Sequence, residues 1–282
     1  MEKFINQIIS RVEQDIYIQA HGQSDHRAYI QQLAEEYGFS RFKLQRLFKQ
    51  QTGLVLVQFI LQMKLELAAV FVCHTRMSLL DIAINMGYSG QQAFTRAFRR
   101  RWGQTPQQMR LAATHKYLQL LNETEIGSIP VRIVPVKKNR ILWYKRYFGP
   151  YEASLNHWPK FRAELERLGI DGSGQCYGLV FDDPDITAPE NIRYGCAIDP
   201  VPGMKLPDCW SEFEMQPSRF VVFTIRSTYL ECLIRLRPRV IAWLVDNRES
   251  FGTSGAYQCF DAMPSGDYTQ VRDMELHISL AN

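Results

Sequence analysis

Apolar and polar residues follow a helical period through roughly the first 110 residues of the chain. An opening helix is predicted from Glu2 to Gln19, ended by Gly22, because apolar residues recur there at three- and four-residue spacing. These apolar residues are Phe4, Ile5, Ile8, Ile9, Val12 and Ile16. The most apolar window, residues 54–73, also contains Lys64 and Glu66, which are costly in hydrocarbon. It therefore predicts a buried helix and no membrane span.

Two stretches of this helical half repeat one pattern. They are "LAEEYGFSRFKLQRLFKQQTG", residues 33–53, and "IAINMGYSGQQAFTRAFRRRWG", residues 82–103. Each has a small alanine, a glycine suited to a left-handed turn, and then a serine (Ser40 or Ser89) expected to be the N-cap of a second helix. "SLLD", from Ser78 to Asp81, is expected to form a capping box ahead of the second copy. The pattern predicts two helix-turn-helix motifs, whose second helices enter the DNA major groove.

The exposed residues of both predicted second helices suit DNA. Glutamine can pair with an adenine edge and arginine with guanine, while lysines bind phosphates. The expected DNA contacts are Phe42, Gln45, Arg46 and Lys49 in the first copy and Gln91, Gln92, Arg96 and Arg100 in the second. The expected core residues are Leu44, Leu47 and Phe48, and Phe94, Ala97 and Phe98. An ordinary solvated helix face is the alternative, and the repeated turn pattern argues against it.

From about residue 129 the pattern changes to the alternation of β-strands. Strands are predicted at 141–148, 175–182, 192–199, 209–215, 219–226, 256–263 and 273–280, and helices at 152–169 and 230–247. Pairs with a near-constant offset of 79 or 80 residues are Arg140/Arg219, Pro159/Pro238 and Ile198/Ile278. The second half is therefore predicted to be two β-α-β-β units in a pseudo-symmetric pair.

Length and charge support a division into two functional parts. A chain of 282 residues suits two domains. We expect a multidomain protein, with an all-α domain at 1–114, a linker at 115–128 and an α+β domain at 129–282. Residues 1–116 hold fifteen lysines and arginines against eight acidic residues, and the rest of the chain eighteen against twenty-one. This asymmetry predicts that only the first half meets a polyanion.

The cysteines and the N-terminus indicate a cytoplasmic protein without a metal or cofactor. The six cysteines form no Cys-x-x-Cys pair and no zinc-type spacing with histidine, which predicts reduced, mostly buried thiols. The N-terminal stretch "MEKFINQIIS" is amphipathic and has an early acidic residue, unlike a signal peptide. The sequence contains no Ser-His-Asp pattern of the kind that would indicate an enzyme.

The helical half resembles the DNA-binding domain of the AraC/XylS family of bacterial transcription regulators. The resemblance is carried by "GYSGQQAFTRAFRRRWGQTPQQMR", which contains the family's Gly-x-Thr-Pro (Gly103, Thr105, Pro106) and its final Arg110. It implies a long helix bridging the two motifs, here about Val55 to Cys73, and one asymmetric DNA site bound by a monomer. It also implies base-facing roles for Phe42, Gln45, Arg46, Gln91, Gln92 and Arg96.

Aromatic residues and one glutamate point to a small-molecule site in the second half. Aromatic walls suit flat, apolar or cationic ligands. In "MELHISL", Glu275, His277 and Ser279 share one strand face, so Glu275 is either a ligand contact or part of a solvated face. The expected ligand contacts are Glu275, Trp143, Tyr144, Tyr147, Trp158, Tyr177, Trp210 and Phe223.

The second half resembles the GyrI-like domain, also called SOUL- or SbmC-like, a duplicated small-molecule-binding fold. The matching features are "FGPYEA", the tryptophan-containing helix after it, and the closing "MELHISL". The resemblance implies that Glu275 contacts cationic ligands, as a glutamate does in multidrug-sensing members.

Two hypotheses of function follow. The first is a transcription regulator whose ligand changes how the protein engages double-stranded promoter DNA or RNA polymerase. The second is a drug-sequestering protein that confers resistance by capturing a toxic compound in residues 129–282. Hydrolysis by the second domain, with His277 and Glu275 as an acid/base pair, is the weakest alternative.

Overall fold

The chain forms two compact units, which are described separately. A computed structural model describes residues 2–18, 26–123, 129–184 and 186–281. One unit contains Met1–Ala113 and Asp208–Trp210, and the other Thr114–Pro207 and Ser211–Asn282. Gln19 and Gly22, where the first helix was predicted to end, lie outside the described residues, as do residues 124–128 of the predicted linker.

The first unit is helical, as its periodicity predicts. Its helices are α1 Glu2–Ile18, α2 His26–Glu36, α3 Arg41–Thr52, α4 Leu56–His74, α5 Leu79–Asn85, α6 Gln91–Trp102 and α7 Pro106–Glu123. Helix α7 continues into the stretch predicted as a linker. Helix α4 is long and apolar enough to cross a membrane, but more than half of its apolar window is buried inside the protein. It contacts α2, α3 and α5, which is how a core helix is placed.

Both helix-turn-helix motifs use the same turn. After α2, the N–H of Phe39 donates to Ala34 O (2.7 Å) and that of Gly38 to Glu35 O (3.1 Å). After α5, the N–H of Tyr88 donates to Ala83 O (2.9 Å) and that of Gly87 to Ile84 O (2.9 Å). This pattern of two bonds requires a left-handed residue, and both glycines have positive φ (70° and 81°). The predicted role of the glycines is confirmed.

The caps of the second helices differ between the copies. Ser40 caps α3 as predicted, and its side chain accepts from the N–H of Lys43. The prediction that Ser89 caps α6 is wrong, because the extra residue of the second copy makes Gly90 the cap, without a side-chain bond. Gln91 and Gln92 remain in the first turn. Ser78 caps α5, but Asp81 bonds its hydroxyl (2.6 Å), where a capping box requires a bond to its N–H.

The apolar stripes of both copies are buried. The small Ala34 and Ala83 are fully buried, as are the larger Phe48, Phe94 and Phe98. Phe4 departs from the predicted stripe of α1, because its side chain is 43% exposed and makes an edge contact with Phe39. Ala97 is half-buried. The remaining predicted core residues of the second helices, Leu44 and Leu47, are buried.

The second unit is an antiparallel sheet with helices. Its strands are β1 Val131–Val136, β2 Arg140–Phe148, β3 Cys176–Val180, β4 Arg193–Ile198, β5 Ser211–Met215, β6 Ser218–Ser227, β7 Phe251–Phe260 and β8 Arg272–Leu280. Among the described residues they form one eight-stranded sheet in the order β1-β6-β8-β7-β3-β4-β2-β5. The predicted helix at 152–169 begins as a 3-10 helix, Tyr151–Asn156, and continues as α8, His157–Leu168. The second helix is α9, Tyr229–Asp246.

The helices α8 and α9 cover one face of this sheet. Trp158 of α8 makes edge contacts with Tyr194 of β4 and Phe260 of β7, and Trp243 of α9 contacts Phe223 of β6. Because side chains alternate along a strand, the neighbours of these strand residues belong to the opposite side. We call that side the far face.

The register corrects one predicted internal match. Arg140 pairs with Met215 and bonds Tyr177 on the far face, whereas Arg219 pairs with Leu280 on the helix side and bonds Glu249. Arg140 and Arg219 therefore lie on opposite faces of the sheet, so they are not equivalent positions of two repeated units.

Candidate DNA-binding surface and ligand-binding face

Helix α3 exposes a stripe of polar residues and one aromatic ring. Phe42, in its first turn, is 78% exposed, and the guanidinium of Arg41 lies 5.2 Å from the ring centroid. One helical turn later Arg46 is exposed and Gln45 half-buried, and Lys49 follows, also exposed. Residues three and four apart lie on one side of a helix, so these four form a continuous surface.

Helix α6 presents the corresponding surface in the second copy. Gln91 and Gln92 are exposed in the first turn, and Arg96 and Arg100 are exposed on the following turns. Because Ser40 and Gly90 are the two caps, Phe42 corresponds to Gln92 and Arg46 to Arg96. The eight residues predicted to contact DNA all lie on second helices, with their side chains at least partly exposed.

The loop after α6 contains a helix stop followed by a helix start. Gly103 ends α6 in the left-handed conformation (φ 72°), and its N–H donates to Arg99 O at 2.8 Å. Thr105 then bonds Gln108 reciprocally, its N–H to Oε1 (2.9 Å) and its Oγ1 from the N–H of Gln108 (3.2 Å). Pro106 takes the first helical position, where no N–H is needed. The Gly-x-Thr-Pro signature therefore fixes the step from α6 to α7.

Arg110 connects α7 to the end of α4 and to the loop before α5 by hydrogen bonds. Its Nε donates to the carbonyl of Val72 near the end of α4 (2.9 Å), and an Nη donates to that of Met77 before α5 (2.8 Å). The sequence marked Arg110 only as part of a signature. The structure gives it a positioning role, which spacing could not predict because its partners are backbone carbonyls.

Comparison with known proteins decides the family. A sequence profile of the helix-turn-helix domain matches residues 33–112. The regulatory protein SoxS of Escherichia coli K12 is 35% identical over 109 residues, which cover 39% of this chain and 94% of SoxS. The chain belongs to the AraC/XylS family of DNA-binding transcription regulators.

The similarity extends further in one relative. The transcriptional regulator Rob of Salmonella typhimurium LT2 is 29% identical to this AraC-family chain over 154 residues, 54% of the chain and 52% of Rob. Among solved structures, an EcmrR–DNA complex covers 90% of this chain at 11% identity, with a TM-score of 0.45. The DNA-binding domain of AdpA with target DNA covers 39% at 23% identity, with a TM-score of 0.35.

On the far face, this AraC-family protein brings together three of the eight predicted ligand contacts. Tyr144 and Tyr177 belong to a buried cluster there, and Glu275 pairs with Cys259 of the same face. The cluster consists of Leu142, Tyr144, Tyr177, Leu179, Ala197, Met215, Phe220, Tyr257 and Cys259, with Val136, Phe181 and Phe213 against it. The sequence did not single out Tyr257, whose ring lies between those of Tyr177 (6.2 Å) and Phe220 (5.6 Å).

Four other predicted contacts lie on the opposite side, so they do not share a site with Glu275. Tyr147 stacks on His157 of α8 at 4.8 Å, and Trp143 donates to Glu212 at 3.1 Å. Trp158 and Phe223 are fully buried in the sheet–helix core. Their predicted place in one ligand site with Glu275 is corrected on this geometry. Trp210 is buried and precedes β5.

Glu275 sits in a network of hydrogen bonds. Arg132 of β1 donates to its Oε1 at 2.7 Å, and His277 Nε2 lies 2.9 Å from its Oε2. The Tyr257 hydroxyl lies 3.0 Å from His277 Nδ1, and the two rings stack at 4.5 Å. A second pair on this face joins Arg140 to Asp199 at 2.8 Å, and Arg140 also bonds the Tyr177 hydroxyl.

Burial and charge set the protonation of this network. Burial raises the pKa of Glu275, but hydrogen bonds from Arg132 and His277 outweigh it and hold the pKa below its ordinary value. Burial lowers the pKa of His277, and it raises the pKa of Cys259 to about 11, to which the charge of Glu275 adds. At neutral pH an ionised Glu275 thus accepts from the Nε2–H of a neutral His277, whose Nδ1 accepts from Tyr257.

Proposed function

We propose that this AraC-family protein is a sequence-specific regulator that inserts both α3 and α6 into the major groove of promoter DNA. The observation that carries the proposal is the exposed stripe on each helix, above all the 78% exposed Phe42 in the first turn of α3. Packing within the unit gives such a ring no role, whereas contact with a thymine methyl group would. Arg46 and Arg96, at equivalent positions, suit guanine, and Lys49 and Arg100 suit phosphates.

Charge reversal tests the proposed DNA surface. The full chain would first select its site from a random pool of duplexes, and its affinity would then be measured by fluorescence anisotropy at several salt concentrations. Arg46→Glu and Arg96→Glu should each weaken binding by roughly 5- to 150-fold, because one good base contact contributes about 1–3 kcal/mol of binding free energy. Arg167→Glu is the control, since Arg167 is 67% exposed on α8. Equal losses in all three variants would contradict the proposal.

We further propose that residues 129–282 form a GyrI-like domain that binds a small effector on the far face, with the helical domain at 1–114 and a linker at 115–128. The strand order supports an internal duplication. Each strand of the first half can be exchanged with its counterpart in the second half, β1 with β5, β2 with β6, β3 with β7 and β4 with β8. The strand order of the sheet is then the same when it is read from the opposite edge. The matched tyrosines Tyr177 and Tyr257 then stand side by side at the centre of the far face. Partners in this proposal are promoter DNA, the effector and RNA polymerase.

The charges narrow the chemistry of this effector. Glu275 was expected to attract cations, yet Arg132 already balances it at 2.7 Å. A cationic ligand must therefore displace Arg132, which costs a charge-assisted hydrogen bond of about 1.5–3 kcal/mol. Neutral aromatic compounds avoid that cost.

A thermal-shift screen of the full chain against neutral and cationic aromatic compounds tests this domain. Arg132→Gln should increase the affinity for cationic hits and leave neutral hits unchanged, while Glu275→Gln should remove the gain. Trp158 and Phe223 give no such readout, since both lie on the helix side of the sheet. If the bound compounds do not alter the affinity for DNA, the proposed effector role is refuted. If residues 129–282 alone also confer tolerance to a toxic compound, sequestration of that compound is the function of the domain.

A further inference from the structure

Three side chains of types that can ligate a metal lie close together on the far face. The sulfur of Cys259, a carboxylate oxygen of Glu275 and an imidazole nitrogen of His277 all lie within 4.8 Å of one another. They come from the antiparallel pair β7 and β8. Cys259 is directly opposite Glu275 in the register, and His277 follows Glu275 by two residues, on the same side of the strand.

These donors are of a kind that binds a transition metal. We propose that Cys259, Glu275 and His277 bind one thiophilic divalent ion such as Zn²⁺. Thiolate, carboxylate and imidazole are the usual ligands of Zn²⁺, at about 2.3 Å for sulfur and about 2.0–2.2 Å for nitrogen and oxygen. A tetrahedral site with those bond lengths places its donors roughly 3.3–3.7 Å apart. The upper limit of 4.8 Å on the donor separations lies about 1 Å above this range, whereas Nε2 of His277 and Oε2 of Glu275, 2.9 Å apart, would move slightly apart.

The surroundings fit a metal as well as the donors do. Metal-bound histidine usually has a hydrogen-bond partner on its other nitrogen. Tyr257 supplies that partner at Nδ1 of His277, 3.0 Å away. A hydroxyl can donate to Nδ1 or accept from it, so Tyr257 serves the present tautomer and also the one in which Nε2 carries the metal. Arg132 bonds Oε1 of Glu275, and the ion would take the place of the hydrogen bond between Oε2 and Nε2 of His277.

The position also allows an ion to enter. Cys259 is 7% exposed, but the side chains of Glu275 and His277 are 29% and 13% exposed. Three protein ligands leave one coordination position, as in open zinc sites. That position would be available to water or to a ligand with its own donor atom.

The other half of the sheet shows that the fold does not require these residues. There the pair Leu179 and Gly195 occupies the β3–β4 ladder, and Ala197 follows two residues later. None of these three side chains has a donor atom. The donor set therefore belongs to one half, whereas the tyrosines Tyr177 and Tyr257 are present in both.

Cobalt titration of the full chain tests this inference, which does not depend on the proposed function. After stripping with a chelator, the protein should bind one equivalent of Co²⁺ with a sulfur-to-cobalt charge-transfer band that Zn²⁺ abolishes. Cys259→Ser should lose the band, and His277→Ala should weaken binding by at least tenfold. Cys209→Ser is the control, because Cys209 is the exposed thiol among the described cysteines.

Two outcomes of the cobalt titration would contradict the proposed metal site. A band that persists in Cys259→Ser, or one that disappears in Cys209→Ser, would overturn the inference. X-ray absorption of the zinc-loaded wild-type chain keeps it testable should a variant fail to fold. One sulfur at about 2.3 Å with nitrogen or oxygen neighbours supports the site, and a shell without sulfur refutes it.

Discussion

Arg110 offers a direct test of how the second helix-turn-helix motif is held in place. Its side chain in α7 joins Val72 of α4 to Met77 of the loop before α5, through two hydrogen bonds. Bonds from a charged donor are each worth about 1.5–3 kcal/mol. Arg110 is half-buried, so water replaces part of this in Arg110→Ala. We therefore expect a loss of about 2–4 kcal/mol in the local stability of α5 and α6.

Hydrogen exchange read by mass spectrometry measures this loss where it occurs. Amides of α5 and α6 should exchange roughly 30- to 1,000-fold faster in Arg110→Ala, since about 1.4 kcal/mol is one factor of ten. Amides of α2 and α3 should change little. DNA affinity should fall in parallel, because α6 is then no longer fixed relative to α4.

Two further variants distinguish the effect of the two guanidinium hydrogen bonds from the effect of the positive charge alone. Arg110→Lys keeps the charge but cannot donate to both carbonyls in one planar fork, so it should recover less than half of the loss. Arg76→Ala, at an exposed position in the same loop as Met77, is the control. Full recovery by lysine, or an equal effect of Arg76→Ala, would refute the bracing role of the guanidinium.

Three stability predictions concern other contacts, each measured by chemical denaturation. Asp182→Ala removes the carboxylate bonded to the buried Arg193 and should cost about 3–5 kcal/mol, part of which Arg193→Met recovers in the double variant; an unchanged midpoint would contradict this. Burial lowers the pKa of His157 to about 4. The free energy of unfolding is therefore unaffected by this histidine above about pH 6.5, and it falls by up to about 3 kcal/mol as the pH drops towards 4. The variant His157→Phe should remove this pH dependence. Gly38→Ala should cost about 1–2 kcal/mol through its φ of 70° alone, with a smaller cost for Gly38→Asn; equal costs would exclude the left-handed explanation.

The sequence predicted the DNA-binding unit well because local rules determine it. Glycine turns, an N-cap at Ser40 and apolar spacing each act over a few residues, and each corresponds to a feature of the structure. The failures are also local. Gly90 displaced Ser89 as a cap through one inserted residue, and Asp81 is one methylene too short for a capping box.

The sheet was harder to predict because its chemistry depends on long-range pairing. Strand β1 was missed since Pro135 interrupts it, and proline is tolerated there because β1 is an edge strand. Alternation showed that strand residues divide between two faces but could not tell which face α8 and α9 would cover. For the same reason Trp158 and Tyr177 seemed equivalent in sequence although they lie on opposite sides. Cys259 and His277 came together only through the β7–β8 register.

The two DNA-binding motifs differ where duplication would otherwise have kept them alike. Their buried residues correspond closely, with Ala34 matched by Ala83 and Phe48 by Phe98. Their exposed residues do not, since Phe42 is replaced by Gln92 and Gln45 by Thr95, while an arginine is kept at 46 and 96. Two identical helices would recognise a repeated sequence, but an aromatic ring and an amide recognise different base edges. We therefore expect a site with two unlike halves that each contain guanine, which one chain occupies in a single orientation.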